Sequence, residues 1–139
     1  MKEIQFDAAH RLMNVESKCS NIHGHHYMVK LYIKSQTLDY ADMLLDFDYL
    51  KSIKEWIDDN WDHSFILNKK DIVNIEHCVK YNYKHFLLNG DPTAEKMAEF
   101  LIKYLRNFLL EIDKEHLIRA DKVVVFETPS CSATAINEE

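Results

Sequence analysis

The stretch CSNIHGHHYMVKLYI, residues 19–33, joins a histidine-rich segment to a strand pattern. In its second half alternate positions are apolar, and these are Tyr27, Val29, Leu31 and Ile33. A period of two places them on one face, which predicts a strand with one buried side. The chain from Ile4 to Phe6, which continues to FDAAH, is also rich in strand formers and predicts a partner strand.

Two segments further along have a helical period. DFDYLKSIKEWIDDNW, residues 46–61, has apolar residues three and four apart, with Asp46 or Asp48 available as a cap. Asp91-Pro92-Thr93 supplies cap chemistry for a second helix. The apolar stripe of that helix comprises Met97, Phe100, Leu101, Tyr104, Leu105, Phe108 and Leu109. Both segments are therefore predicted to pack one face on a sheet.

The C-terminal part contains two more candidate strands, residues 122–126 and 132–136. The order strand, strand, helix, helix, strand, strand predicts an α+β fold with two helices on one face of an antiparallel sheet. Residues 69–90 fit this scheme least well, because neither a helical nor an extended period is convincing there.

Composition narrows the class of protein. A chain of 139 residues with 47% hydrophobic and 29% charged residues fits one folded domain, residues 1–139. No apolar run approaches the ~20 residues of a membrane span, and three scattered cysteines suit a reducing compartment, so we expect a cytoplasmic protein. The net charge of −6 argues against a nucleic-acid partner and favours a small molecule.

The histidine-rich segment predicts a metal site. His23 and His25 share one face of a strand, and His10 ends the first strand, where a hairpin would bring it beside His25. Three neutral imidazoles suit a catalytic zinc that keeps one position open. An isolated pair of surface histidines is the alternative. Cys19 could be a fourth ligand, a catalytic thiolate or an inert thiol.

Two further positions carry possible chemistry. In NWDHSF, Asp62 could orient His63 as a general base, although adjacent Asp-His also occurs by chance in loops and caps. Glu127 ends an apolar strand, where its carboxylate could anchor a ligand with paired N–H donors or could be a surface charge.

Taken together, six motifs resemble the 6-pyruvoyl-tetrahydropterin synthase and 6-carboxytetrahydropterin synthase family across nearly the whole chain. They are FDAAHRL, C-x3-HGHHY, LLDFDYLK, WDHSF, DPTAEKMA and VFETPS. The short spacing from Cys19 to His23 is similar to the 6-carboxytetrahydropterin synthases of queuosine and other 7-deazapurine biosynthesis.

The resemblance implies a tunnelling fold with two helices on a four-stranded antiparallel sheet. It implies a homohexamer, built as a dimer of trimers with active sites at subunit interfaces. The implied reaction converts 7,8-dihydroneopterin triphosphate to 6-carboxy-5,6,7,8-tetrahydropterin, acetaldehyde and triphosphate.

The resemblance also implies roles for individual residues. The zinc ligands would be His10, His23 and His25. Cys19 would be a general base as its thiolate and would not ligate zinc, while His63, oriented by Asp62, would exchange protons on the other side of the substrate.

Substrate-binding residues follow from the same resemblance. Glu127, with Thr128, would accept hydrogen bonds from the pterin, whereas Thr93 and Glu95 would lie near the pocket or cap a helix. The triphosphate needs cationic contacts, and the sequence does not choose among the candidates Arg11, Lys18, Lys34 and side chains of another subunit.

Two alternatives stay open at this stage. A 6-pyruvoyl-tetrahydropterin synthase begins with the same substrate and zinc but keeps the side chain while it eliminates triphosphate. A non-catalytic zinc- and pterin-binding oligomer would keep the fold without turnover, and it would have no need for Cys19, Asp62, His63 and Glu127 together.

Overall fold

The computed structural model describes residues 1–138. The elements, in chain order, are β1 (Lys2–His10), β2 (His23–Ser35), α1 (Lys51–Asn60), β3 (Ser64–Asn68), α2 (Ile72–Tyr81), β4 (His85–Leu88), α3 (Ala94–Ile112), β5 (Ile118–Thr128) and β6 (Cys131–Ile136). The prediction of an α+β fold is confirmed.

The sheet has six strands in the order β4-β3-β1-β2-β5-β6, so the expectation of a four-stranded antiparallel sheet is wrong. The four predicted strands form an antiparallel part, β1-β2-β5-β6. β3 joins β1 in parallel, and β4 joins β3 in parallel. Parallel neighbours need a crossover connection, which α2 supplies between β3 and β4.

The β1–β2 hairpin sets the inner face of the sheet. In its register Ala8 lies opposite His25, and His10 lies opposite His23. Alternate residues of β1 are buried from Ile4 to His10, so these histidines point to the same side as the core. Gly24 lets the strands approach closely, since a Cβ there would lie 3.1 Å from the Ala8 carbonyl oxygen.

The predicted helices form, with a later start for the first. Asp46 accepts a hydrogen bond from the Asp48 N–H at 2.9 Å, which caps a 3-10 helix, Phe47–Leu50, ahead of α1. Thr93 caps α3. The buried residues of α3 are Ala94, Met97, Ala98, Leu101, Ile102, Leu105 and Leu109. They join strand side chains in the core, as the apolar stripe predicts.

A third helix lies in the segment that the sequence left unassigned, so the expectation of two helices is also wrong. α2 buries Cys78 but exposes Val73 and Val79, and this mixed pattern weakens its helical period. Asn82 ends it in the left-handed conformation, with φ 54°. Within residues 1–138, none of the helices combines the length and apolar character needed to cross a bilayer.

Candidate active site

The three predicted metal ligands converge at the end of the β1–β2 hairpin. His10 Nε2 lies 3.1 Å from His23 Nε2. The His25 ring centroid is 5.1 Å from that of His10 and 4.9 Å from that of His23. Glu127 joins them from β5, and the ligand atoms of all four residues lie within 4.8 Å of one another.

Main-chain carbonyls orient two of these imidazoles. His10 Nδ1 lies 2.8 Å from the Pro92 carbonyl oxygen, and His23 Nδ1 lies 2.7 Å from that of Asn21. Because a carbonyl only accepts, each Nδ1 carries the proton and each Nε2 presents a lone pair. Two lone pairs 3.1 Å apart repel unless a cation lies between them, so the arrangement fits a metal ion.

The Glu127 carboxylate points into the histidine cluster. Its Oε1 lies 2.8 Å from His25 Nε2 and 3.2 Å from His10 Nε2. The contact with His25 lacks hydrogen-bond geometry, since His25 Nε2 is buried without a hydrogen-bond partner. Imidazole nitrogens and a carboxylate oxygen are ordinary zinc donors, so these residues fit the implied metal. Sequence reasoning did not predict that Glu127 points into the histidine cluster.

Burial keeps His10 in the form that a metal requires. His10 is buried, and burial holds the pKa of its imidazole below the usual value, because desolvation penalises the charged form. A neutral imidazole is the metal-binding form.

Cys19 lies in the loop between β1 and β2. It is a half-buried free thiol in a 3-10 helix, Lys18–Ser20, that Ser17 caps by accepting the Cys19 N–H at 3.2 Å. The Cys19 carbonyl accepts the Leu12 N–H at 3.0 Å. The loop thus folds back beside β1, at the His10–His23 end of the hairpin.

Asp62 and His63 contact each other as predicted, with His63 Nδ1 2.9 Å from Asp62 Oδ2. His63 has a left-handed backbone, with φ 56°, and its N–H donates to the Asp7 carbonyl at 2.7 Å. Burial acts to raise the pKa of the Asp62 carboxyl, but hydrogen bonds from the Asp7 N–H and from His63 outweigh it and hold the pKa below its usual value.

This pair is on the other face of the sheet from the histidine cluster. The ligand atoms of Asp7, Asp62 and His63 lie within 4.8 Å of one another. Asp7 is exposed between buried Phe6 and Ala8, so its side chain projects from the outer face, opposite to His10. One chain therefore keeps His63 and the predicted metal ligands on opposite sides of the sheet.

The DPTAE segment has mainly structural contacts. Thr93 Oγ1 accepts the Lys96 N–H at 3.1 Å, as a helix cap does, and Glu95 is exposed in the first turn of α3. Sequence reasoning missed the carbonyl of Pro92 and the carboxylate of Asp91, which accepts the N–H groups of Met13 and Asn14 at 3.1 and 2.9 Å. In the sequence, only the DPTAE motif pointed to Asp91 and Pro92.

A family model described as 6-pyruvoyl tetrahydropterin synthase matches residues 1–138. The chain belongs to this family. Its predicted membership and its assignment as an enzyme of the family are both confirmed.

Relatives and solved structures agree with this membership. Two relatives are named 6-carboxy-5,6,7,8-tetrahydropterin synthase. The protein of Rickettsia conorii is 34% identical to this chain, over 94% of both chains. The protein of Aquifex aeolicus is 30% identical to this chain, over 95% of this chain and 93% of the relative. A 6-pyruvoyl tetrahydropterin synthase of Caenorhabditis elegans has a TM-score of 0.67 at 21% identity, covering 99% of this chain and 93% of that chain. An uncharacterized protein of Wolinella succinogenes has a TM-score of 0.86 at 23% identity, covering 99% and 96%. These two structures support the fold.

Proposed function

We propose that the chain is a zinc-dependent carbon–carbon lyase. It converts 7,8-dihydroneopterin triphosphate to 6-carboxy-5,6,7,8-tetrahydropterin, acetaldehyde and triphosphate. The observation that carries the proposal is the convergence of His10, His23 and His25. Main-chain carbonyls accept from Nδ1 of His10 and of His23, so both rings present the lone pair of Nε2. The relatives named 6-carboxy-5,6,7,8-tetrahydropterin synthase support the choice of this product.

The three histidines would hold the zinc. Bound there, zinc would polarise side-chain oxygens of the substrate and stabilise negative charge as protons migrate. The anchoring of His10 by Pro92 and of His23 by Asn21 keeps their Nε2 atoms in place through the reaction.

Glu127 and Thr128 would bind the pterin beside this centre. Glu127 Oε1 lies against the histidines, which leaves Oε2 to accept a pterin N–H. Thr128 Oγ1 is buried without a hydrogen-bond partner, as expected of a hydroxyl that a ligand satisfies. Thr93 and Glu95 act on the site indirectly, through the start of α3.

Cys19 would remove protons as its thiolate, and His63, oriented by Asp62, would deliver and accept protons on the other side of the substrate. Since one chain holds Asp62 and His63 across the sheet from the histidines, a neighbouring subunit would supply this pair. That arrangement favours the homohexamer, a dimer of trimers with active sites at subunit interfaces.

The proposal extends to the domain organisation, the cellular compartment and the pathway. Residues 1–139 act as one domain, the protein acts in the cytoplasm, and its product enters queuosine or another 7-deazapurine pathway. The spacing from Cys19 to His23, which is typical of the carboxytetrahydropterin group, supports this choice.

Product analysis tests the proposal. Zinc-loaded protein is incubated with 7,8-dihydroneopterin triphosphate, and acetaldehyde and pterins are followed by chromatography, with Cys19→Ala alongside. We expect acetaldehyde and 6-carboxytetrahydropterin in equal amounts, and neither from the variant. A pyruvoyl pterin without acetaldehyde would instead identify a 6-pyruvoyl-tetrahydropterin synthase, and tight binding of unchanged substrate would identify a non-catalytic binder.

A further inference from the structure

The residue after His10 connects three parts of the molecule. Arg11 Nε donates to the Ser20 carbonyl at 2.9 Å, and Arg11 Nη1 lies 3.3 Å from Asp71 Oδ2. Ser20 belongs to the 3-10 helix that contains Cys19, and Asp71 is the residue before α2. Arg11 thus links the end of β1 to the Cys19 loop and to the start of α2.

The acidic partner is buried and held in position. The Asp71 side chain is only 4% exposed, and both of its carboxylate oxygens accept from Asn74 Nδ2, at 3.1 and 3.0 Å. The Asp71 N–H donates to the Asn68 carbonyl at 2.9 Å. A buried carboxylate with fixed contacts gives the guanidinium one preferred orientation.

Two contacts hold the Cys19 loop to the end of β1. The Leu12 N–H donates to the Cys19 carbonyl, which holds the loop to the chain leaving β1. Arg11 adds the next contact, at Ser20, from the same side. Leu12 and Arg11 therefore hold the main chain of the Cys19 loop to the end of β1.

We propose that the Arg11–Asp71 pair is a positioning device that fixes the loop carrying Cys19 at the His10–His23 end of the hairpin. The proposal rests on the proposed function, in which Cys19 is the general base. Arg11 was one of the candidates for binding the triphosphate. The proposal assigns it a positioning role instead, because its guanidinium contacts the buried Asp71 carboxylate. Arg11 and Asp71 act through Cys19 without contacting the substrate.

Kinetics of the zinc-loaded enzyme test this role with Asp71→Asn, Arg11→Gln and Arg11→Lys. A displacement of about 1 Å at a reacting group can cost about 100-fold in rate, so we expect kcat to fall roughly 10- to 100-fold. KM and bound zinc should stay within about twofold, since the histidines and Glu127 are unchanged. Lysine should not rescue kcat, because one ammonium cannot reproduce the two-sided contact of the guanidinium.

The matched control is Asp121→Asn, which removes an exposed ion pair to Lys34 at 2.9 Å, away from the Cys19 loop. We expect this variant to keep the wild-type kcat. If Asp71→Asn fails to fold, Asn74→Ala loosens the same carboxylate while it keeps the charge, and we expect a smaller fall in kcat. The double variant Arg11→Gln/Asp71→Asn should be no slower than the worse single variant, because both remove one linkage.

A chemical readout separates this inference from the proposed function. Iodoacetamide labels Cys19 and the exposed Cys131 in the same chain, and mass spectrometry gives their ratio. We expect Asp71→Asn to change the Cys19-to-Cys131 ratio at least about threefold, since thiol reactivity depends on local access and environment.

Inactive wild-type protein would refute the proposed function, and the labelling ratio would still test the positioning role. An unchanged ratio together with an unchanged kcat would overturn the inference. A parallel loss of zinc, melting temperature and kcat in all the variants would also overturn it, because it would show a general role in folding.

Discussion

Single residues decide which atoms of the histidine cluster face one another. Pro92 and Asn21 accept from the Nδ1 atoms of His10 and His23, so both rings present Nε2. Such partners fix the tautomer and the orientation of a metal-binding imidazole. The cluster is thus prepared for a cation by main-chain atoms as well as by the histidines themselves.

The first prediction concerns the ligands. His23→Ala should lower zinc affinity at least about 10-fold, because it removes one of the converging donors. His26→Ala is the matched control, since His26 lies on the outer face, where it contacts Asp7 at 2.8 Å and Gln5 at 2.9 Å. Competition with a chromogenic chelator measures both affinities. Equal losses in the two variants would contradict the assignment of the ligands.

A second prediction concerns Asp91 and pH. Burial acts to raise the pKa of its carboxyl, but hydrogen bonds from Asn68, Asn14 and Met13 hold the pKa below the usual 3.8. A depressed pKa in the folded state contributes stability that is present above pH 3.8 and is lost as the pH falls through the folded value.

Asp91→Asn should therefore destabilise the chain at pH 7 by roughly 1 kcal/mol, because solvent partly screens this half-buried carboxylate, and should reduce the loss of stability below about pH 4. Urea unfolding of metal-free protein at pH 7, 4 and 3 measures both effects. Wild-type and variant curves that fall in parallel with acid would argue against this role of Asp91.

Local pattern could predict only part of the site. The spacing of His23 and His25 places them on one face of any strand, and a hairpin brings His10 to them, so local rules suffice. The contact from His10 to Pro92 spans 82 residues and uses a main-chain oxygen, which no residue type signals. The direction of Glu127 likewise depends on how β5 pairs with β2.

At the scale of elements, the closeness of β1 and β2 controls the spacing of the histidines. Gly24→Ala would bring a Cβ to 3.1 Å from the Ala8 carbonyl oxygen, which is main chain and cannot rotate away. We expect a loss of about 1–3 kcal/mol in the free energy of unfolding and weaker zinc binding. His26→Ala, on the same strand, is again the control, and a fully stable Gly24→Ala protein would contradict this reasoning.

The start of α3 gives a further prediction. Thr93→Ala should lower the free energy of unfolding by about 1 kcal/mol through loss of the cap, whereas Thr93→Ser should keep most of it. Because Thr93 Oγ1 bonds the Lys96 N–H, we expect KM to change less than about twofold in either variant. Thermal unfolding and steady-state kinetics check both statements. A large rise in KM with Thr93→Ala would restore the role in substrate binding that the resemblance implied.

The sequence did not predict β3, α2 and β4, and the reason lies in their length and burial. The four antiparallel strands and the helices α1 and α3 have clear periods of two or three to four. β3 and β4 have five and four residues, too short for a period to be distinct. α2 exposes Ile72, Val73 and Val79, so its apolar residues do not mark one buried face.

For the whole molecule, the sheet separates two groups that the proposed reaction needs together. His10, His23 and His25 lie on the inner face with the core, while Asp62 and His63 lie with Asp7 on the outer face. His63 has a side chain that is 76% exposed, so a neighbouring copy can reach it. A site shared between copies of the chain resolves the separation without a change of fold.

Mixed oligomers test this arrangement. Cys19→Ala and His63→Ala should each be nearly inactive alone. Subunits exchanged between the two variants should regain about one quarter of wild-type activity, because a site made by two random neighbours has that chance of joining an intact Cys19 to an intact His63. Differently tagged chains, co-expressed and purified through both tags, supply the hybrids, and acetaldehyde release measures them. Hybrids as inactive as their parents would place both residues in the site of one chain, and would exclude the shared site.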